Sequence, residues 1–272
     1  MLRIMILLFT AVVAAGGSFP VHAQDTLTVM SYNIYHAEQA YDEGKGSVQD
    51  IASLINEIQP DFVALQEVDE MTGRMAALND GEPFSLIDSL ATLTNMTGYF
   101  GKAIDYDGGG YGEGLLSRQP LESQKVMLPN PKGGEKRAML YVKAHTSTGQ
   151  AFIFAGTHLG HQFKENRVAQ VKAINEYFST YSQPVMIAGD FNFEPSDKAY
   201  DVMQKQWMDA AVEVGKQPEP TYSSKDPQKR IDYLFLSNSS NWKILEIKTV
   251  KRNYSDHLPV VGKVVVYPHV VD

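Results

Sequence analysis

Several short polar motifs in this chain each fall at an end of a hydrophobic, β-type run: Asn33, Glu67, His158, Asp190 with Asn192, Asp232, and Asp256 with His257. They are scattered in sequence and converge if those runs share a sheet. Carboxylates, two histidines and two amides gathered in one place suit a divalent cation acting on a phosphate ester. Oxygen ligands hold Mg²⁺, and imidazoles and amides stabilise phosphoryl oxygens.

Glu67 follows Phe62-Val63-Ala64-Leu65-Gln66, which puts a carboxylate at the tip of a buried strand. Metal ligation there competes with a plain surface ion pair or turn. Asn33 closes the first strand, a position where asparagine alone is usually turn chemistry. Asp190 and Asn192 stand two apart in Gly189-Asp190-Phe191-Asn192, so in an extended segment both point to one side. That pairs a carboxylate able to orient water with an amide able to donate to a phosphate oxygen. His158 closes the run from Phe152 and would donate to a phosphate oxygen or to the leaving group. Asp256 and His257 are adjacent, and adjacent side chains on a strand diverge, so Asp232 is the carboxylate expected to hold His257. Arg137, ahead of a strand, is either a further anion contact or a solvated side chain. His22, His36, His145, His161 and His269 are assigned no role, because a lone histidine is more often structural.

The elements that must position these residues are strand-like runs over Leu27 to Ile34, Phe62 to Val68, Gly114 to Ser117, Met139 to Ala144, Phe152 to His158, Val185 to Phe191, Ile231 to Leu236, Ile244 to Val250 and Val260 to Tyr267. Helical patterns lie between them, with Ile51, Leu54, Ile55 and Ile58 on one face of the first and Val168, Val171, Ile174 and Phe178 on one face of another. Helix and strand are mixed along the whole length, with some neighbouring strands joined by short turns such as Ser147-Thr148-Gly149-Gln150 and others separated by helices, so a mixed sheet system with outer helices is expected. The segment Asp105 to Gly112 holds too many glycines for a strand or helix interior. It is expected to be a mobile lip over the site or a plain surface turn.

With 272 residues, 43% of them hydrophobic, the chain can bury one large core, and one globular domain over residues 24–272 is expected. Residues 1–23 read as a secretory signal: an apolar stretch from Ile4 to Ala15 behind Arg3, then the small-residue exit Val21-His22-Ala23. The apolar run falls short of the roughly 20 residues that span a bilayer. The mature chain is therefore expected to start near Gln24, without a transmembrane segment, as a secreted or periplasmic protein and a monomer. The absence of cysteine excludes a disulfide framework, a thiolate metal site, a cysteine nucleophile and a lipidated cysteine. A net charge of −8 gives no general pull toward nucleic acid, although Lys125, Lys132, Lys136, Arg137, Lys229 and Arg230 could line a basic groove.

The motifs and their order resemble the endonuclease/exonuclease/phosphatase superfamily, which includes DNase I-like nucleases, neutral sphingomyelinases and inositol polyphosphate 5-phosphatases. The resemblance covers nearly the whole mature chain. It rests on Ser31-Tyr32-Asn33, Leu65-Gln66-Glu67-Val68, Gly114-Leu115-Leu116-Ser117-Arg118, Thr157-His158-Leu159, Gly189-Asp190-Phe191-Asn192, Arg230-Ile231-Asp232-Tyr233 and Ser255-Asp256-His257. It implies an α/β (α+β) fold of the DNase I-like kind, a four-layer sandwich of two packed mixed sheets with helices outside. It also implies Glu67 as the principal Mg²⁺ ligand with Asn33 and Asp256 on the metal side, Asp190 orienting the attacking water and Asn192 contacting the phosphate. His257 paired with Asp232 would act as base or phosphate-stabilising imidazole, and His158 sides with the DNase I and sphingomyelinase branches.

One departure from the superfamily stands out: Glu113 occupies a position that is neutral in many members. A carboxylate at the cleft rim is expected to repel a polyanion or recruit a second cation. The expected activity is thus Mg²⁺-dependent, or Mn²⁺-dependent, hydrolysis of a phosphodiester in a small molecule or lipid head group, with nucleic acid disfavoured. A secreted DNase is the alternative enzyme, and a non-catalytic binding protein on the same fold is the rival from another class. Glu67, Asp190 and His257, whose loss would mark that rival, are all present.

Overall fold

The computed structural model describes residues 25–215, 218–238 and 242–267. The signal expected over residues 1–23 and the mature start near Gln24 lie outside the described residues. The strands are β1 (Asp25–Asn33), β2 (Phe62–Glu70), β3 (Thr97–Tyr106), β4 (Gly109–Ser117), β5 (Ser123–Met127), β6 (Ala138–His145), β7 (Ala151–His158), β8 (Val185–Asp190), β9 (Trp207–Asp209), β10 (Asp232–Ser237), β11 (Trp242–Thr249) and β12 (Val260–Val266). The helices are α1 (Val48–Ile58), α2 (Gly73–Ala77), α3 (Leu86–Thr94), α4 (Lys164–Phe178), α5 (Lys198–Met203) and α6 (Ala210–Glu213), with one turn of 3₁₀ helix at Tyr35–Ala37.

These strands form two six-stranded sheets, ordered β11-β12-β1-β2-β4-β3 and β5-β6-β7-β8-β10-β9. Each has one parallel pair at its centre, β1 with β2 and β7 with β8, and antiparallel neighbours elsewhere. A strand in the middle of such a stack buries both faces, which explains the near-continuous apolar runs of β2, β7 and β8. Val29, Ala64 and Leu115 of the first sheet meet Phe154, Met186 and Leu234 of the second in the central core. Ile51, Leu54 and Ile55 of α1 and Leu90 of α3 cover the outer face of the first sheet. Val171, Ile174 and Phe178 of α4 cover the second. The result is the expected four-layer order of helices, sheet, sheet and helices. The expected apolar faces of α1 and α4 are the ones buried, with Ile58 and Val168 partly covered at their margins. No helix among the described residues is long and apolar enough to cross a membrane.

The segment Asp105 to Gly112 is neither a lip nor a simple turn. It forms the closing half of a β3–β4 hairpin that turns at Asp107-Gly108 and stays paired from Tyr106↔Gly109 onward. The glycines are there because the backbones approach closely: a Cβ on Gly112 would lie 2.2 Å from the Gly101 carbonyl oxygen. β3, β5 and β9 have no counterpart in the sequence reading. β5 and β9 are short strands of five and three residues, and β3 carries glycines that mask its alternation.

Gly189 in β8 follows the same rule at a more sensitive place. A Cβ there would lie 2.0 Å from the Thr157 carbonyl oxygen of the parallel neighbour β7. Gly189→Ala must therefore push β7 and β8 apart next to His158 and Asp190. We expect a loss of at least about 1–3 kcal/mol, the usual cost of overpacking, read from urea unfolding. An unchanged midpoint would mean that the strands are not held this closely.

Candidate functional site

The motif residues meet because of strand direction. Asn33, His158 and Asp190 end β1, β7 and β8, whereas Asp232 begins β10 and His257 stands just before β12. β10 runs antiparallel to β8 and β12 antiparallel to β1, so their beginnings lie beside the others' ends. Register completes the row: His158 is opposite Asp190, and Asp190 is opposite Asp232. Open α/β sheets commonly bind ligands at this edge, outside the carboxyl ends of parallel strands.

Glu67 arrives differently from the sequence reading. It lies inside β2 rather than at its tip, in a β-bulge where pairing jumps from Leu65↔Gly114 to Val68↔Gly112. Its φ of 62° swings the side chain out of the strand's alternation. Asn192 also departs from the extended geometry assumed for it, with a φ of 49° beyond the end of β8. Its backbone N–H donates to Asp190 Oδ1 at 2.9 Å and its side-chain amide to the Leu159 carbonyl at 3.0 Å. The amide thus reaches the cleft through a turn built on Asp190.

Asn33 ties the two sheets together. Its Nδ2 donates to Glu67 Oε1 at 3.0 Å and to Asp190 Oδ2 at 3.1 Å, while its Oδ1 accepts the Tyr35 N–H at 3.2 Å. A carbonyl oxygen has two lone pairs, and the second is the one a cation would use. His257 Nδ1 lies 2.9 Å from Asp232 Oδ2, and its Nε2 points toward Asp190 Oδ2 at 3.6 Å. Tyr222 covers the ring, with centroids 4.9 Å apart. Asp256 stands apart from its neighbour's ring and takes a contact from Ser255 Oγ at 3.3 Å.

Arg137 is 3% exposed, so it is not a solvated side chain. It forms an ion pair with Glu135 at 2.9 Å and reaches His158 Nδ1 at 3.0 Å and His161 Nδ1 at 3.3 Å. Guanidinium only donates, so Nδ1 of His158 must accept and its proton sits on Nε2. That Nε2 is 3.3 Å from Asp190 Oδ2. His158 is therefore held as a neutral N–H donor, and burial together with Arg137 keeps its pKa well below the usual range.

Glu113 overturns the rim picture. It is 1% exposed, with Oε2 buried and unpartnered, and burial pushes its carboxyl well above the usual range. A carboxyl buried inside the molecule does not sit at the cleft rim, where a polyanion would meet it. The part of the expected penalty against nucleic acid that rested on Glu113 therefore falls away, while the net charge of −8 stands.

The charges in the cleft are strongly divided. Burial opposes ionisation of Glu67, yet His36, His158 and Asn33 hold it below the usual carboxylate range. Burial raises the pKa of Asp190, helped by Asp232 and opposed by His257. Burial also raises the pKa of Asp256, with Glu67 adding. Against its own burial, His257 is raised to about 10 by Asp232 and Asp190, which makes it an imidazolium. Carboxylates crowded like this with oxygen donors facing one opening fit a hard divalent cation. Asp190, Asp232 and His257 also offer ligand atoms within 4.8 Å of one another. His257 Nδ1 is already engaged with Asp232, so this trio reads better as a proton-handling set than as the ion's cage.

The cleft has a volume of about 620 Å³ and is lined by Glu67, Arg137, His158, Asp190, Asn192, Asp256 and His257, with Tyr111 and Tyr222 as aromatic walls. A larger hollow of about 860 Å³ beside α1 and α3 holds Asp88 as its only carboxylate and no histidine, so it lacks this chemistry. Among the residues without an assigned role, His161 lines this cleft and His36 is buried behind it, with Nδ1 3.9 Å from Glu67 Oε2. Only their nearness in sequence to Asn33 and His158 could have pointed to them.

Two six-stranded mixed sheets, helices outside, and an acid–imidazole cleft at the strand ends define a DNase I-like α/β sandwich of the phosphoesterase and nuclease type. Residues 30–257 match the model of the Endonuclease/Exonuclease/phosphatase family, and the chain belongs to that family, whose members are hydrolases. It is 25% identical over 254 residues to protein YbhP of Escherichia coli strain K12, covering 89% of this chain and 97% of that protein. The fold resembles the endonuclease/exonuclease/phosphatase of Beutenbergia cavernae, with a TM-score of 0.76 and 22% identity over 89% of this chain and 72% of that one. It also resembles a mannosyl-6-phosphatase of Bacteroides thetaiotaomicron, with a TM-score of 0.65 and 20% identity over 88% of this chain and 99% of that one.

Proposed function

We propose that this protein is an exported phosphoesterase that hydrolyses a phosphodiester with a bound Mg²⁺ or Mn²⁺ ion. The observation that carries this reading is the convergence of Glu67 and Asp190 on one cleft, both held by Asn33 Nδ2 at 3.0 and 3.1 Å, beside His158 and His257. Glu67 would hold the ion, with Asp256 and the oxygen of Asn33 on the same side. When bound, the ion would stabilise negative charge on the phosphoryl and leaving oxygens.

The chain's own residues do the rest. Asp190 orients a water molecule and takes one of its protons as the water oxygen bonds to phosphorus and the ester P–O bond breaks. His257, kept as an imidazolium by Asp232, and the Nε2–H of His158 donate hydrogen bonds to the phosphoryl oxygens. Asn192 contributes a further amide donor. The leaving oxygen departs as an alkoxide or phenoxide and is protonated from solvent, which balances the step. Export rests on the signal read at residues 1–23, and the mature protein is expected to begin near Gln24 when its N-terminus is sequenced.

Turnover of bis-p-nitrophenyl phosphate and p-nitrophenyl phosphate, before and after exhaustive chelation, tests the reading. The expected result is diester hydrolysis that disappears on chelation and returns with Mg²⁺ or Mn²⁺. Full activity without a divalent ion would contradict it. Turnover of the monoester alone would move the protein to the phosphomonoesterases, the activity named for the Bacteroides structure.

A further inference from the structure

We propose that Arg167 and the N-terminus of α4 form a second anion subsite in the cleft, beside Asn192, and that the substrate is a small molecule carrying a second phosphate group besides the scissile diester. The inference rests on hydrolysis in this cleft and names the substrate class for it.

Four basic side chains line the cleft among the described residues: Arg137, Lys164, Arg167 and Lys229. Two of them are already compensated, Arg137 by Glu135 at 2.9 Å and Lys164 by Asp197 at 2.9 Å. Arg167 is only 6% exposed, yet no described carboxylate lies within ion-pair distance of it. Its Nη1 donates to the carbonyls of Gly160 and His161 at 2.9 Å each, and its Nε is buried without a partner. Asp197, Asp190 and Glu165 favour the charge from farther off, but burial outweighs them and lowers the pKa. Arginine nevertheless stays protonated, and a buried guanidinium without a counter-charge is costly. Bracing the turn at Gly160 and His161 explains the two hydrogen bonds of Nη1, which a neutral amide could also make. It does not explain a full positive charge in the wall of the cleft.

The start of α4 adds to that charge. Phe163 stands at the cap position, and no side chain caps the first N–H groups of this 15-residue helix. Those groups carry the positive end of the helix dipole. The first turn nonetheless holds Lys164 and Arg167 against one acid, Glu165, an order that is unfavourable unless an anion sits there. Free amides at a helix start together with a guanidinium are a common means of holding phosphate. The location follows from one turn of chain. The Asn192 amide donates to the Leu159 carbonyl at 3.0 Å and Arg167 to the next carbonyl, that of Gly160, so the subsite adjoins the amide assigned to the scissile phosphate.

Lys229 lines the same cleft from the Tyr222 side and makes no ion pair among the described residues. Glu194 is the opposing carboxylate without an ion pair, which leaves the cations in excess away from the metal side. The cleft volume of about 620 Å³ falls within the range of small-molecule sites.

The first test is calorimetric titration of the unmodified chain with inorganic phosphate, without added divalent ion, while the Arg167 Nε–H signal is followed by ¹⁵N NMR. We expect saturable binding, with the Arg167 signal moving along the same isotherm. Arg167→Gln, whose amide can still donate to the turn, should weaken phosphate binding about 10- to 100-fold, and Lys229→Gln should weaken it by a smaller factor. The second test supplies Mg²⁺ and compares thymidine 5′-p-nitrophenyl phosphate with the same ester carrying a 3′-phosphate. The added phosphate should raise kcat/KM at least about tenfold, and Arg167→Gln should remove most of that advantage.

Phosphate that fails to bind or leaves the Arg167 signal unmoved, or equal kcat/KM for the two esters, would overturn this inference and leave metal-assisted hydrolysis standing. Faster hydrolysis of a DNA strand than of the 3′-phosphorylated ester would overturn the small-molecule substrate. No turnover of either ester with Mg²⁺ or Mn²⁺ would overturn the hydrolysis itself. Because the first readout and the comparison of the two esters use the unmodified chain, poor folding of a variant does not affect them.

Discussion

Asp190→Asn is expected to lower kcat by about 10²- to 10⁴-fold, the usual worth of a positioned general base, with little change in affinity for the divalent ion. The side chain keeps its size and can still accept from the Asn192 N–H, while its new amide nitrogen loses the hydrogen bond that Oδ2 accepts from Asn33 Nδ2 at 3.1 Å. What disappears is the carboxylate that takes a proton from water. Glu67→Ala should behave differently, weakening ion binding and rate together, because Glu67 is the ionised group on the metal side. The comparison reads kcat alongside ion affinity from calorimetry. Near-normal kcat in Asp190→Asn would remove Asp190 from the role of orienting water.

The second large effect is a failure of additivity. His257→Ala should cost about 10²- to 10⁴-fold in kcat, and Asp232→Ala nearly as much, yet the double variant should be little worse than His257→Ala alone. Asp232 acts through the 2.9 Å contact with His257 Nδ1 and has nothing left to orient once the ring is gone. In a double-mutant cycle the coupling should equal most of the Asp232 effect. Losses that simply multiply would mean that Asp232 serves the site independently of His257.

Much of this cleft was legible in the sequence for one physical reason. Where an apolar run stops, the strand leaves the core, and a polar residue there sits at a sheet edge. That logic located Asn33, His158 and Asp190, and the same edge argument applied where a run begins located Asp232 and His257. The divergence of adjacent side chains also singled out Asp232 over Asp256 as the carboxylate beside His257.

What escaped were features decided by backbone irregularity or by packing between the sheets. Nothing in Leu65-Gln66-Glu67-Val68 announces a bulge, and the positive φ that aims Glu67 depends on how β2 meets β4. Asn192 is likewise placed by a left-handed turn rather than by strand alternation. The glycines of β3 and β4 look like loop composition because their purpose, close approach of two backbones, belongs to a partner strand. Glu113 was misplaced because nothing local marks a carboxylate as buried. His36 went unassigned because its contact with Glu67 is one that only the fold creates.

Hydrolysis of bis-p-nitrophenyl phosphate in ¹⁸O-labelled water, with the divalent ion present, tests the central claim most directly. Water attacking phosphorus should place one labelled oxygen in the p-nitrophenyl phosphate product and none in the p-nitrophenol, and this labelled product should fall in parallel with kcat in Asp190→Asn. Label in the p-nitrophenol, or no turnover with Mg²⁺ and Mn²⁺ both supplied, would contradict the assignment of this cleft to metal-assisted phosphodiester hydrolysis.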